Sequence, residues 1–224
     1  MGLAAVGVTV IGIMAAQSGG DPTDNANGYG YPPISLPRED TTAPTWAGEI
    51  ASEFPLAAGL PATNGDGSPV EVTVSSGVDD IDRCGLNAWS TRDTVDVAGV
   101  TFNDGSGERR ARTLALYADD GAAKVALSAL RLAVVGCPVT TVGSTDHVYD
   151  MVSKAPRRVI FTHRYSSGGE LSDDLEVLVV VREGRALYLA TSYSRGDGSA
   201  PDIKAQVRAA EHDSAKVVAA LADL

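Results

Sequence analysis

Residues 175–194 have the sequence LEVLVVVREGRALYLATSYS, and this stretch decides the fold. Its first part, Leu175–Val181, is apolar on both sides of an extended chain, which is typical of a strand at the centre of a sheet. Glu183 and Gly184 then provide a tight turn. A second strand with a period of two follows, and one of its faces is formed by Leu187, Leu189 and Thr191. The stretch therefore predicts an antiparallel hairpin in the middle of a sheet.

Further strands are predicted on both sides of this hairpin along the chain. Residues 94–102 and 110–117 are strand candidates that flank a loop at 103–107 rich in Gly, Asp and Asn, which predicts a second hairpin. Earlier in the chain, a half-buried strand is predicted from the alternation of Val70, Val72 and Val74 with polar residues. Between the two hairpins, one face of a strand is formed by Val159, Phe161, His163 and Tyr165.

Two main helices are predicted from apolar residues that recur every three or four positions. Asp119 or Asp120 offers an N-cap to the first helix, and Asp202 offers one to the second. Their apolar stripes are Ala123, Leu127, Leu130 and Val134 in the first helix and Ile203, Val207, Ala210, Val217 and Leu221 in the second. A short helix is also expected within residues 49–58. We therefore predict an α+β fold, a twisted antiparallel sheet with two main helices packed on one face of it.

The first 45 residues differ in composition from the rest of the chain. Residues 3–16 are an almost unbroken apolar run, shorter than the roughly 20 residues of a full membrane span. We therefore predict that residues 1–17 are a membrane anchor or a signal segment, with a buried core helix as the alternative reading. No Lys or Arg precedes the run, so we expect the true start of the protein to lie upstream, or the chain to be a fragment.

Residues 18–45 are dense in Pro, Gly, Asp and Asn and show no apolar periodicity, which predicts a disordered stalk. Residues 46–224 are then the folded domain. An apolar segment, a spacer and a folded domain in this order predict a protein that is anchored to the cell membrane on its extracellular side, or secreted. Contact with the membrane is expected through residues 3–16 only.

The charge balance excludes one class of partner. The 224 residues carry 18 Lys plus Arg against 29 Asp plus Glu, a formal net charge of −11. Nucleic acid binding requires a basic surface, and no part of the chain supplies one. The same excess of carboxylates disfavours adhesion to anionic lipid.

The chain contains two cysteines, Cys84 and Cys137. In an exported protein we expect them to form one disulfide, because exported thiols meet an oxidising environment. Two unpaired buried thiols are the alternative. A metal site is not expected, since neither cysteine has a Cys or His neighbour at ligand spacing. Asp79, Asp80 and Asp82 lack the alternating oxygens of a calcium loop and predict a solvated acidic turn.

The candidate binding residues centre on His163. The three histidines, His147, His163 and His212, are far apart in sequence, and no motif of a nucleophilic enzyme or a phosphate loop is present. We therefore expect no catalytic residues, no cofactor and no enzymatic activity. A ligand pocket is the functional interpretation of this region, formed by His163, Tyr165 and Tyr193, with Arg112 or Arg164 pairing an acid. The alternative is a partly buried histidine that makes a single hydrogen bond.

Three sequence features resemble a known family. They are FPLAAGLP at 54–61, Cys84 followed by Trp89, and an Ala/Leu-rich helix that runs into Val-Gly-Cys-Pro at 135–138. These features are similar to exported sensor-like domains of actinobacteria, such as the extracellular domain of the mycobacterial serine/threonine kinase PknH. The resemblance implies a twisted antiparallel sheet with packed helices around a cleft for an unidentified ligand. It identifies no individual binding residue.

The predicted function is therefore an extracytoplasmic domain that binds an unidentified small molecule or a cell-envelope component. The alternative is an envelope protein–protein interaction module without a ligand pocket. A deep concave site at His163 and Tyr165 favours the first function, whereas a filled sheet face and an exposed apolar patch favour the second.

Overall fold

The computed structural model describes residues 50–74, 81–83, 86–89 and 93–224. The strands are β1 (Thr73–Val74), β2 (Ile81–Arg83), β3 (Leu86–Trp89), β4 (Thr94–Asn103), β5 (Arg109–Tyr117), β6 (Val139–Val142), β7 (Thr145–Ala155), β8 (Arg158–Ser167), β9 (Glu170–Leu171), β10 (Leu175–Glu183) and β11 (Ala186–Ser194). The helices are α1 (Asp120–Gly136) and α2 (Ile203–Ala220), and a short turn of 3-10 helix, Leu221–Asp223, follows α2. The predicted α+β class is confirmed.

One antiparallel sheet organises the described part of the chain. Its strand order is β1-β4-β5-β11-β10-β8-β7-β6, and β9 pairs with the end of β8. Strands β2 and β3 form a separate two-stranded ribbon. The hairpin predicted from residues 175–194 is confirmed: β10 and β11 pair from Leu175 opposite Ser194 to Glu183 opposite Ala186. Gly184 adopts a φ of 51° in its turn, which glycine tolerates at little cost.

The two helices cover opposite faces of the sheet, so the prediction that both pack on one face is wrong. We call these the α1 face and the α2 face. Leu178 and Val180 of β10 pack with α1, whereas the alternating Val177 and Val179 pack with α2. The physical reason lies in the apolar character of Leu175–Val181 on both sides, since each side needs its own cover.

Both helices begin where the sequence predicts. The Asp119 side chain accepts a hydrogen bond from Ala122 N at 2.7 Å, and the Asp202 side chain accepts one from Ala205 N at 3.0 Å. Each bond satisfies an amide that the first helical turn leaves without a partner. The predicted apolar stripes are the buried ones, with Leu127 and Leu130 buried in α1 and Val207 and Val217 in α2.

Two local predictions need correction, and the hairpin of β6 and β7 was missed. The helix expected within 49–58 is absent from its described part, 50–58, where turns occur instead, because Pro55 lacks an amide and disfavours helical geometry at Phe54. The strand predicted over Val70–Val74 is reduced to β1, and Val72 is exposed. Strands β6 and β7 were not predicted at all, because most of β7 is half-exposed on both sides and shows no clean apolar alternation.

Several predictions fall outside the described residues. These are the anchor or signal segment 1–17, the stalk 18–45, Asp79 and Asp80 of the predicted acidic turn, and Cys84. Asp82, the third residue of that predicted turn, is described and lies in strand β2. The Cys84–Cys137 disulfide therefore stays a prediction. Among the described residues, no helix is long and apolar enough to cross a membrane.

Candidate functional site

A row of polar side chains crosses the α1 face from strand to strand. Register places Arg109 of β5 opposite Tyr193 of β11, Tyr193 opposite Glu176 of β10, Glu176 opposite His163 of β8, and His163 opposite Tyr149 of β7. Directly opposed side chains on one sheet face lie about 5 Å apart, so neighbours in this row are within contact distance. Five strands that are distant in sequence thus contribute to one surface.

The row begins where the apolar cover of α1 ends. Along each of these strands, the side chains on the α1 face change from apolar to polar toward the same end of the sheet. On β8, Phe161 is followed on the same face by His163 and Tyr165, and on β11 Leu189 is followed by Thr191 and Tyr193. Helix α1 packs on the apolar half, so the polar half is not covered by this helix.

His163 is the central side chain of the row and is only 4% exposed. Its ring stacks on Tyr149, with centroids 4.3 Å apart, and lies nearly parallel to the ring of His147, with centroids 5.1 Å apart. Tyr165 meets both histidine rings edge-on, at 5.0 Å from His147 and 4.7 Å from His163. Four aromatic rings therefore hold one another in place at this end of the sheet.

A hydrogen-bonded chain links the carboxylate of Glu176 to both histidines. His163 Nδ1 lies 2.9 Å from Glu176 Oε2, and His163 Nε2 lies 3.1 Å from His147 Nδ1. A carboxylate only accepts, so His163 donates from Nδ1 to Glu176. A single proton then lies between His163 Nε2 and His147 Nδ1, because a nitrogen–nitrogen hydrogen bond needs one donor and one acceptor. This chain fixes the position of Glu176 and of the imidazole behind it.

Tyr165 and Tyr193 are the aromatic walls of the site. The Tyr193 hydroxyl donates to Asp174 Oδ2 at 2.9 Å, and Asp174 also accepts from Gly196 N at 2.8 Å. Burial and then the neighbouring carboxylate of Glu176 raise the pKa of Tyr165, against the opposing effect of Arg109. Burial and the hydrogen bond to Asp174 raise the pKa of Tyr193. Both phenols are therefore neutral and able to donate hydrogen bonds.

The loop between β4 and β5 forms the third wall. Asp104 Oδ2 accepts from the Ser106 hydroxyl, and this bond lowers the pKa of Asp104 most. Asp104 Oδ1 accepts from Ser106 N, Gly107 N and Glu108 N at 2.8–3.0 Å, and these bonds lower the pKa further. Gly65 supports the loop from outside through a 2.7 Å bond from its amide to Asn103 O. A Cβ atom at Gly65 would lie 2.0 Å from Asp104 O, so the close approach requires glycine. These contacts hold the third wall in place.

These elements enclose a cleft of about 540 Å³, which we call the tyrosine cleft. This volume lies within the range of roughly 300–1,000 Å³ that is usual for small-molecule sites. The lining residues are Asn103, Gly105, Gly107, Glu108, Arg109, Tyr165, Glu176 and Tyr193.

The structure brings together three of the five predicted binding residues. Tyr165 and Tyr193 line the tyrosine cleft, and His163 lies behind Glu176. Arg112 and Arg164 lie on the α2 face, because each alternates along its strand with a residue of the α1 face. We leave both arginines out of the candidate site.

The two arginines have partners on the α2 face. Arg112 is 3% exposed and donates to Leu56 O at 2.9 Å, Ala58 O at 2.8 Å and Asp213 O at 3.0 Å. Arg164 lies 3.7 Å from Asp150 Oδ2. Their surroundings indicate structural contacts with the chain itself.

Sequence reasoning missed Glu176, Arg109, Glu108 and His147. One signal for Glu176 was available, since it is the only charged residue in the apolar stretch Leu175–Val181. A carboxylate is costly in a central strand unless it is paired or reaches water. His147 carried no comparable signal, because β7 itself was not predicted.

A second cavity of about 330 Å³ lies on the α2 face between β10 and α2. Its lining is mostly small and apolar, with Val179, Val181 and Val218 among its walls, and an ion pair of 2.6 Å joins Arg158 to Glu211 beside it. Specific ligand sites combine apolar walls with several convergent polar groups. The tyrosine cleft has aromatic walls and more convergent polar groups than this second cavity, so it is the better candidate for a ligand site. In the ranges that the structure describes, no group of three or more His, Cys, Asp or Glu residues is placed to hold a metal ion.

Comparison with family models and with curated protein sequences finds no match to this chain. Among solved structures, the chain is similar to the extracellular domain of PknH from Mycobacterium tuberculosis, with 10% sequence identity and a TM-score of 0.47 over 68% of this chain and 78% of that one. It is less similar to the Mll3558 protein from Rhizobium loti, with 12% identity and a TM-score of 0.18 over 63% of this chain and 73% of that one. The PknH extracellular domain is of the same kind as the exported sensor-like domains whose sequence features residues 54–61 and 135–138 resemble.

Proposed function

We propose that this chain is an extracytoplasmic domain that binds a small molecule or a cell-envelope component in the tyrosine cleft, without catalysing a reaction. The observation that carries the proposal is the convergence of Arg109, Glu176, Tyr165 and Tyr193 from four strands on one cleft. The predicted apolar segment and stalk in residues 1–45 support the extracytoplasmic location.

The energetics of the polar row support a binding role. A buried ion-paired or hydrogen-bonded polar group contributes little or nothing to stability compared with apolar side chains of similar size. The α1 face could therefore have continued as an apolar surface beneath a longer helix. Instead, His163 is buried against Glu176 and His147 beside a cleft open to solvent. Placement of polar groups at a cost in stability is typical of sites that recognise a ligand.

A second candidate function is protein–protein interaction through the outer surface of α1. Val125, Leu132 and Val135 are 68%, 72% and 62% exposed, and they lie on the side of the helix that faces away from the sheet. From Gly121 to Thr145 the chain contains no carboxylate, in contrast to the acidic rest of the protein. An exposed apolar surface of this kind favours contact with another protein.

One experiment distinguishes the two functions. The full-length chain is titrated with soluble peptidoglycan fragments and with phospholipid headgroups, and amide chemical shifts are followed by heteronuclear NMR. Binding in the tyrosine cleft should perturb the amides of Tyr165, Glu176 and Tyr193, and should raise the melting temperature because the ligand binds the native state. Tyr193→Ala should weaken binding about tenfold through loss of an aromatic wall.

Glu183→Gln is the control, since Glu183 lies at the far end of β10 and pairs with Arg157 on the surface. It should leave binding unchanged. Perturbations confined to Val125, Leu132 and Val135 would favour the interaction module instead. A complete absence of shifts with these probes would count against the proposed ligand classes.

A further inference from the structure

We propose that the tyrosine cleft selects an organic cation, a ligand with an ammonium group that lies against Tyr165 and Tyr193 and faces Glu176. This inference rests on the proposed function and names the chemical class of its ligand. Aromatic walls combined with carboxylates are the usual surroundings of a bound quaternary ammonium group.

The charges that face the cleft favour a cation. Two carboxylates, Glu108 and Glu176, line it against one guanidinium, Arg109. Just outside the lining, Asp174 holds the Tyr193 hydroxyl, and Arg195 packs across Gly107. The balance therefore stays negative by one charge when this outer pair is included. Glu108 also lies 3.6 Å from Arg110, in a half-exposed contact that neutralises it only in part.

A carboxylate lies beside each aromatic wall. The Tyr193 hydroxyl donates to Asp174 Oδ2 at 2.9 Å, which polarises the phenol and makes its ring face more negative. Burial raises the pKa of Tyr165 most, and the carboxylate of Glu176 raises it further, ahead of the opposing effect of Arg109. A cation over either ring is thus attracted both by the ring and by the carboxylate beside it.

The position of Glu176 is also fixed before a ligand arrives. One of its oxygens accepts from His163 Nδ1, and His163 is held between Tyr149 and His147. The side chain of Glu176 remains 17% exposed toward the cleft. A prepositioned carboxylate binds an ammonium group without the entropic cost of ordering a flexible side chain.

The test compares two probes of the same shape. Choline carries a quaternary ammonium group, and its uncharged carbon isostere dimethylbutanol does not. Affinities for the full-length chain are measured by isothermal titration calorimetry, with NMR shifts at Tyr165 and Tyr193 to locate the bound probe. We expect choline to bind at least about fivefold more tightly than the isostere.

Two substitutions at the cleft should change choline affinity in opposite directions. Glu108→Gln removes an attractive charge and should weaken choline binding about threefold. Arg109→Gln removes a repulsive charge and should tighten it by a similar factor. Both residues are exposed, so neither variant threatens folding. For the uncharged isostere, the two substitutions should not shift the affinity in opposite directions, and Glu183→Gln should change neither affinity.

Equal affinities for the two probes, or weaker choline binding in Arg109→Gln, would overturn the cation proposal. If the isostere, or an anionic probe such as acetate, binds in the cleft more tightly than choline, the ligand class is wrong while the cleft remains a binding site. If probes of all three charges fail to shift Tyr165 and Tyr193, both the ligand class and the proposed function are contradicted.

Discussion

Arg112 is a buried cation whose partners are backbone carbonyls. Its three hydrogen bonds join β5 to the turn at 56–58 and to the carbonyl of Asp213 in α2. Burial lowers the pKa of its guanidinium, which nevertheless stays charged in proteins. Sequence reasoning placed Arg112 in a ligand pocket. Its position on the α2 face depends on which side of β5 meets which helix, and that is a tertiary property.

We predict that Arg112→Met lowers the free energy of unfolding by about 2–4 kcal/mol, because three carbonyls lose their donors in a region closed to water. Arg110→Met is the matched control. Arg110 is half-exposed and pairs with Asp213 at 3.2 Å, so its loss should cost less than about 1 kcal/mol. Urea denaturation measures both values. Equal costs for the two variants would contradict the structural role of Arg112.

Helix α1 was predictable because its signals are local. The cap at Asp119 and the buried stripe that includes Leu127 and Leu130 are separated by fixed helical spacings. Strand β7 was not predictable, because an edge region that is half-exposed on both sides leaves no periodic trace in its sequence. His147 reaches the candidate site only through the pairing of β7 with β8.

The end of α1 also carries a prediction about the cysteines. Cys137 follows the helix directly and is buried. We predict a disulfide with Cys84, so that both thiols of the exported protein resist alkylation in mass spectrometry under non-reducing conditions. By the chain-entropy model, its reduction should lower the free energy of unfolding by about 4 kcal/mol. Alkylation of two thiols without reductant would contradict the pairing, and Cys84→Ser with Cys137→Ser provides the control for the reductant itself.

In the part of the chain that the structure describes, four tyrosines are placed so that their neutral form is favoured. Burial raises the pKa of Tyr117 to about 12, and raises the pKa values of Tyr188, Tyr165 and Tyr193 as well. The unfolded chain ionises near 10. The contribution of these phenols to stability is therefore complete below pH 10 and is lost as the pH rises from about 10 to 12.

We predict that the free energy of unfolding falls steeply in that alkaline range. Circular dichroism and the ultraviolet absorbance of tyrosinate measure this change. In Tyr117→Phe, the free energy of unfolding should fall by about 2 kcal/mol less between pH 10 and pH 12, because a phenylalanine has no proton to release. Tyr193→Phe is the comparison, since its more exposed phenol should matter less. A free energy of unfolding that stays constant from pH 10 to pH 12 would contradict the raised pKa values of these phenols.

The sequence by itself determined the elements whose signals lie within one segment: the central hairpin at 175–194, the two capped helices and the α+β class. Periodicity and capping depend on neighbours a few residues apart, so they are visible without a structure. The tertiary structure decided which side of each strand faces which helix, and a shift by one residue would reverse every such assignment. For that reason only the folded chain brings Glu176 and Arg109 to one cleft, with His163 behind Glu176, and leaves Arg112 on the opposite face.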